Sequence, residues 1–180
     1  MAFNIQQFRS EMVGDGARPN LFEVTMQFPA FSGMANAATK LTFMCKSAQL
    51  PGSTVGVVPV SYFGRELKFA GNRVFADWAV TIINDEDFVV RNAFEKWMEA
   101  LNSHQLNIRN PAALANVNYT VNADVTQYGK TGVSLKKYKL IGVFPSDVSP
   151  IELDWGANDQ MEEFSVALAY QWWESAEIGI

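Results

Sequence analysis

A mainly β fold, a β-sandwich or partly closed barrel with one flanking α-helix, is predicted by three features of this sequence. Several segments alternate apolar and polar residues with a period of two, as strands with one buried face do. Only one stretch, 86–102, carries a strong helical stripe. Glycine, proline and asparagine gather between these segments as turns.

The elements follow in order along the chain. Asn4 is placed to cap a short first helix, with Ile5, Phe8 and Met12 on one face, and Gly14 and Gly16 end it. In LFEVTMQF, Phe22, Val24, Met26 and Phe28 alternate with Glu23, Thr25 and Gln27, which predicts a strand. After a loop over 29–36, Leu41, Phe43 and Cys45 repeat the alternation, so a second strand and a hairpin are expected. The stretch LPGSTVGVVPVSYFGRELKFAGNR, 50–73, breaks its Val-rich pieces with glycines and two prolines. Proline cannot donate to a ladder, so this reads as a partly extended excursion rather than a central strand.

A better strand is expected from Val74 to Ile83, with Trp78, Val80 and Ile82 on its buried face. The helix over 86–102 stacks Val90, Phe94, Trp97, Met98 and Leu101 in one stripe. Arg91 and Glu95 stand at i, i+4, a pairing worth about 0.2–0.5 kcal/mol. The run VNYTVNADV alternates again, with Asn118, Thr120, Asn122 and Asp124 on the polar face. A turn at YGKTG leads into a strand over 133–144, VFPSDVSP interrupts, and a last strand runs from Phe164 to Trp172. The total is about seven strands and one flanking helix, which suits two packed layers.

Composition narrows the function. The 180 residues suit one domain, 1–180, and 13% of them are aromatic, a folded globular composition. The net charge of −5 disfavours a surface that grips nucleic acid throughout, since that affinity comes from neutralising phosphates. A single cysteine, Cys45, and a single histidine, His104, exclude an internal disulfide and multi-cysteine zinc sites. The start of the chain does not read as a secretory signal, and no apolar run is long enough to span a membrane, so no membrane insertion is expected.

Candidate chemical sites have plainer readings. The acidic run INDEDF, 83–88, offers carboxylates for a metal or for acid–base work, but nothing nominates further ligands. Its simpler reading is a helix start, with Asn84 or Asp85 capping the orphan N–H groups. YGKTGVS has Asp124 where a phosphate loop needs glycine and lies between strands, so it reads as a hairpin turn. No cofactor and no catalytic or metal residue is nominated. The charge distribution says more. Every Lys and Arg lies at or before Lys139, while 140–180 carries eight acidic residues and no basic ones. The plainer reading is a solvated acidic face; the sharper one is that acidic and basic surfaces of neighbouring copies meet head to tail, as in rings or filaments.

Four stretches carry a family likeness together: ARPNLFEV (17–24), ELKFAGNRVFADWAVTIINDEDF (66–88), LIGVFPSDVSPIELDW (140–155) and MEEFSVALAYQWWE (161–174). Their order and spacing resemble the tail tube proteins of contractile-tailed bacteriophages. The resemblance implies a structural virion protein rather than an enzyme, assembled in the host cytoplasm into hexameric rings. Stacked rings would form the inner tail tube, with strands of six subunits closing one barrel around the channel. It further implies a surrounding sheath, a baseplate, a tape-measure protein within, and DNA that passes through without specific binding. Tubes of contractile injection systems are the alternative in the same class. On this resemblance, an arm at about 47–70 would touch the next ring through Leu50, Pro51, Gly52, Val57, Tyr62 and Arg65. Asn118, Thr120, Asn122 and Asp124 would face the lumen.

Overall fold

The structure, a computed structural model, describes residues 4–33 and 36–177. Its framework is a path of hydrogen-bonded strands that does not close on itself, in the order β1-β6-β7-β8-β5-β2, with β9 pairing β7. These strands are β1 (Phe22–Met26), β2 (Cys45–Ala48), β5 (Trp78–Ile83), β6 (Val121–Tyr128), β7 (Ser134–Val148), β8 (Glu163–Ala169) and β9 (Trp172–Glu177). A separate two-stranded ribbon consists of β3 (Thr54–Tyr62) and β4 (Arg65–Val74). The fold is mainly β, as the alternation implies.

The long strand β7 belongs to two layers. Its first part pairs β6 on one side and β9 on the other; its last part pairs β8. The change of partner falls at Gly142, where φ is +68° and a Cβ would stand 2.8 Å from Gln171 Cγ. A left-handed backbone at a close approach is what glycine alone permits cheaply. One layer is therefore β1-β6-β7-β9, and the other is β2-β5-β8 with the end of β7. Val24, Met26, Ala123, Val125 and Leu140 from the first share one core with Val80, Ile82, Phe164, Val166 and Leu168 from the second.

Helix α3 (Val89–Leu101) covers this core, burying Val90, Ala93, Phe94, Trp97 and Ala100. Phe28 meets Phe94 edge to face at 5.0 Å, and Trp97 Nε1 donates to the Tyr119 carbonyl at 2.9 Å. Such a bond lets a large indole be buried without an orphaned donor. Arg91 pairs with Glu95 at 2.8 Å, the i, i+4 contact read from the sequence. The first helix, α1 (Ile5–Glu11), is capped by Asn4, which accepts from the Gln6 N–H. All of its residues are exposed.

Several expected elements differ. Residues 37–44 form a helix, α2 (Ala37–Met44), not a strand hairpinned to β1. Ala37 and Leu41, one helical turn apart, are buried while Phe43 is 79% exposed, so period four wins over the apparent period two. The short strand that follows, β2, pairs β5. Val74 belongs to β4, and β5 starts at Trp78. Asn116–Tyr119 is a helical turn, α4, closed by Thr120 Oγ1 on the Asn116 carbonyl, so β6 begins only at Val121. VFPSDV is not an interruption, because β7 runs through it with a register shift between Pro145 and Asp147. The last expected strand is two, β8 and β9, parted where Gln171 N donates to the Ile141 carbonyl.

The helix-cap expectation is also corrected. Helix α3 starts at Val89, its N-cap position is Phe88 with φ +52°, and neither Asn84 nor Asp85 caps it. Asn84 donates to Glu162 instead, and Asp85 accepts from the Glu86 N–H. Asp87 is the carboxylate that accepts from Val89 N, at 3.1 Å.

Candidate assembly surfaces

The ribbon β3–β4 stands away from the core, and nearly all its residues are exposed. Its register sets Tyr62 opposite Arg65, Val60 opposite Leu67 and Val58 opposite Phe69 on one face. The other face carries Ser61 with Glu66, Pro59 with Lys68 and Val57 with Ala70. The first face is thus an apolar ladder ending in a cation. At the tip, Phe63 (φ +45°) and Gly64 (φ +78°) make a tight turn with both residues left-handed. Phe63 is 91% exposed and its ring meets Tyr62 at 4.7 Å. A bulky residue held left-handed and exposed at a tip costs stability locally.

The root of the ribbon is fastened. Trp78 Nε1 donates to the Gln49 carbonyl at 2.7 Å, and Trp173 Nε1 to the Gly52 carbonyl at 3.2 Å. Pro51 is buried. Leu50, Pro51 and Gly52 therefore form the anchorage of the arm, while Val57, Tyr62 and Arg65 lie on its free length. The sequence reading missed the ladder residues Val58, Val60, Leu67 and Phe69. Two Val- and aromatic-rich runs meeting at Phe63-Gly64 were the available signal.

The outward face of the β1-β6-β7-β9 layer is polar. Thr25 lies beside Asp124 and Lys139, and Glu23 beside Thr126 and Lys137. Asp124 pairs with Lys137 at 2.8 Å, and the Tyr128 hydroxyl donates to the Glu23 carboxylate, which raises the Tyr128 pKa. Asn122 and Asp124 lie on this face of β6. Asn118 and Thr120 do not share it, since they belong to the α4 turn and its end.

The acidic junction INDEDF is closed by a cation. Lys40 of α2 lies 2.6 Å from Asp85 and pairs with Asp87 as well. Hydrogen bonding to Lys40 holds both carboxyls below their usual range, and the same bonds raise Lys40. The trio ties α2 to the start of α3. Among the described residues, no three His, Cys, Asp or Glu gather as metal ligands do. His104 lies 3.0 Å from Glu99 just past α3. Cys45 is partly buried, and desolvation pushes its thiol up to about 11. No described helix is long and apolar enough to cross a membrane.

Among the described residues, β1 and β9 are the outermost strands of a layer with a polar outward face, and the β3–β4 ribbon pairs with no other strand. Residues 17–176 match the family described as phage tail tube protein. The chain belongs to that family. It is 34% identical over 164 residues to tail tube protein gp19 of Enterobacteria phage T4, covering 89% of this chain and 93% of that one. The tail tube protein of Serratia phage KSP90 is 27% identical over 169 residues, covering 92% and 93%. Among solved structures, the fold resembles a chain of the anti-feeding prophage baseplate, with a TM-score of 0.61, 13% identity, and 92% and 98% of the two chains covered. It also resembles a chain of the sheath–tube complex of an extracellular contractile injection system, with a TM-score of 0.58, 13% identity, and 98% and 100% covered. The family is one of structural tube proteins, so the chain is a tail tube protein and not an enzyme.

Proposed function

We propose that six copies of this chain form a ring and that stacked rings form the inner tail tube, the conduit for DNA ejection. The observation that carries this reading is the β3–β4 ribbon. A lone two-stranded hairpin is marginal in water, and this one exposes an apolar ladder along its length. Such a ribbon is stable and soluble when a neighbouring subunit covers it. Val57, Tyr62 and Arg65 then act at the inter-ring contact, with Leu50, Pro51 and Gly52 as the root. The chain works as one tube domain with this arm.

Ring closure follows from the edges. In the first layer β1 and β9 are outermost, and every pairing between them is antiparallel. Setting β9 of one copy beside β1 of the next continues the alternation and removes two open edges, which are a liability in a monomer. The outward face of that layer then lines the channel. Asn122 and Asp124 stand there with Thr25, Thr126 and the Asp124–Lys137 pair, a mixed and nearly balanced charge on which DNA slides. A sheath outside, a baseplate at the end, a tape-measure protein within, and assembly in the host cytoplasm complete the reading.

Negative-stain electron microscopy of the purified protein, with baseplates added as nuclei, tests the assembly. Hollow rods of uniform width are expected; particles that stay monomeric with nuclei present would overturn it. For the lumen, phage carrying Asn122→Lys is expected to eject DNA more slowly at low salt, and unchanged ejection would remove that face from the channel. An injection-system tube is the second reading, favoured by the fold shared with the injection-system chain. Purified particles with DNA-filled heads decide for the phage tail.

A further inference from the structure

One tryptophan breaks the polar outward face of the β1-β6-β7-β9 layer. Trp172 and Trp173 are adjacent in β9 and so point to opposite faces. Trp173 lies opposite Leu140, meets Tyr138 edge to face at 5.6 Å and holds the root of the arm at Gly52. Trp172 lies opposite Ile141 on the outward face and is 46% exposed. Its Nε1 donates to Glu174 Oε1 at 3.1 Å, two residues along the same face, which orients the ring and occupies its one donor. An indole left half in solvent adds little to the stability of a single copy.

The charges around the ring are of both signs. Lys139 is the cross-strand neighbour of Glu174, Asp124 follows in the same row, and Thr25 ends it. Duplex DNA gains nothing from such a place. Its bases are stacked away from contact, its surface is phosphate of one sign, and Glu174 repels what Lys139 attracts. A single strand stacks its bases on aromatic rings within a groove of positive charge, whereas the charge bonded to this ring is a carboxylate. A polypeptide matches the place on every count. It brings apolar side chains for the ring and residues of both signs for Glu174 and Lys139.

We propose that Trp172 and Ile141 form an apolar step in the channel wall that takes side chains of a polypeptide held within the channel, with Glu174 and Lys139 pairing its charged residues, while DNA passes the step unbound. The proposal rests on the tube reading, which sets this face around the channel. Ring symmetry then repeats the step around the wall, and stacking repeats it along the tube. Each contact is small and exposed, so the polypeptide is held by their number rather than by any one of them.

Labelling and cross-linking at position 172 test it. Rods of Trp172→Cys assembled on baseplates are treated with a small maleimide and, separately, with a dextran-linked one. Labelling by the small reagent alone is expected, above the background that the partly buried Cys45 gives in wild-type rods. Labelling by both would put the face outside the channel and sink the lumen reading together with the step. Labelling by neither would mean that a neighbouring copy covers Trp172, which overturns the step alone. Tails purified from infected cells and carrying Trp172→p-benzoylphenylalanine are then irradiated. The expected product joins this chain to a second, different polypeptide, and rods assembled from this chain alone lack it. Tails that give adducts only between copies, or none, would overturn the step while leaving the tube intact. Independently, Trp172→Ala tails are expected to lose that polypeptide at a lower urea concentration than wild-type tails, with Trp172→Phe close to wild type. Equal retention in all three would also overturn the step.

Discussion

The core of the two layers and the β3–β4 ribbon are built from similar residues with opposite surroundings. Trp78, Phe94, Trp97 and Phe164 are almost wholly buried and each has a neighbour within the chain. Val58, Val60, Tyr62, Leu67 and Phe69 are as apolar, and all are exposed. The core serves the stability of one copy. The ribbon gains nothing for the lone copy by being apolar, and in the proposed tube it serves contact between copies. Its aromatic-fastened root joins the two, because Trp78 fills the core and holds Gln49 at the arm's origin.

The contrast predicts large stability effects in one region and small ones in the other. Trp78→Ala is expected to cost about 3–5 kcal/mol, from lost burial and the cavity left behind. Urea denaturation of the unassembled protein measures it, and a near-neutral result would move Trp78 out of the core. Gly142→Ala comes next, at about 1–2 kcal/mol, from the left-handed backbone and the close Gln171 side chain. If the same assay shows no loss, the bend of β7 does not depend on that glycine.

Tyr62→Ala with Arg65→Ala is expected to change monomer stability by less than about 0.5 kcal/mol while sharply shortening tubes. Unchanged tube length would free the arm from any inter-ring role. The smallest effect is electrostatic. Asp85 and Asp87 are held below their ordinary value of 3.8 in the folded chain, so they bind protons more readily when unfolded. Their contribution is present above that value and lost as pH falls through the lowered folded one. Lys40 is raised above 10.5, so its contribution is present below 10.5 and lost as pH rises through the raised value. Because the trio is solvent-accessible, Lys40→Met is expected to flatten the acid limb of the unfolding profile only slightly. An unaltered acid limb would mean the trio is decorative.

Where one buried face met one exposed face, the sequence was readable. Strands β1, β5 and β8 and helix α3 carry clean periods because each lies between core and solvent. Helix α2 looks like a strand in sequence because it is short and buries only Ala37 and Leu41, leaving Phe43 to mimic the alternation. The ribbon reads in sequence as a partly extended excursion because its glycines and Pro59 argue against a central strand; a two-stranded ribbon has an edge on each strand and tolerates them. The polar alternation over 118–124 is not one strand face for a similar reason, since Asn118 sits on a helical turn whose side-chain alternation imitates β6. The acids of INDEDF mark a junction in the sequence, but Lys40, more than forty positions away, is joined to them only by the fold.

The most direct test pairs microscopy with unfolding on two proteins, wild type and Tyr62→Ala/Arg65→Ala. Equal denaturation midpoints, with uniform hollow rods from wild type and isolated rings or monomers from the variant, are the expected result. Rods of equal length from both proteins, or a variant that loses its fold, would contradict a ribbon built for contact between copies.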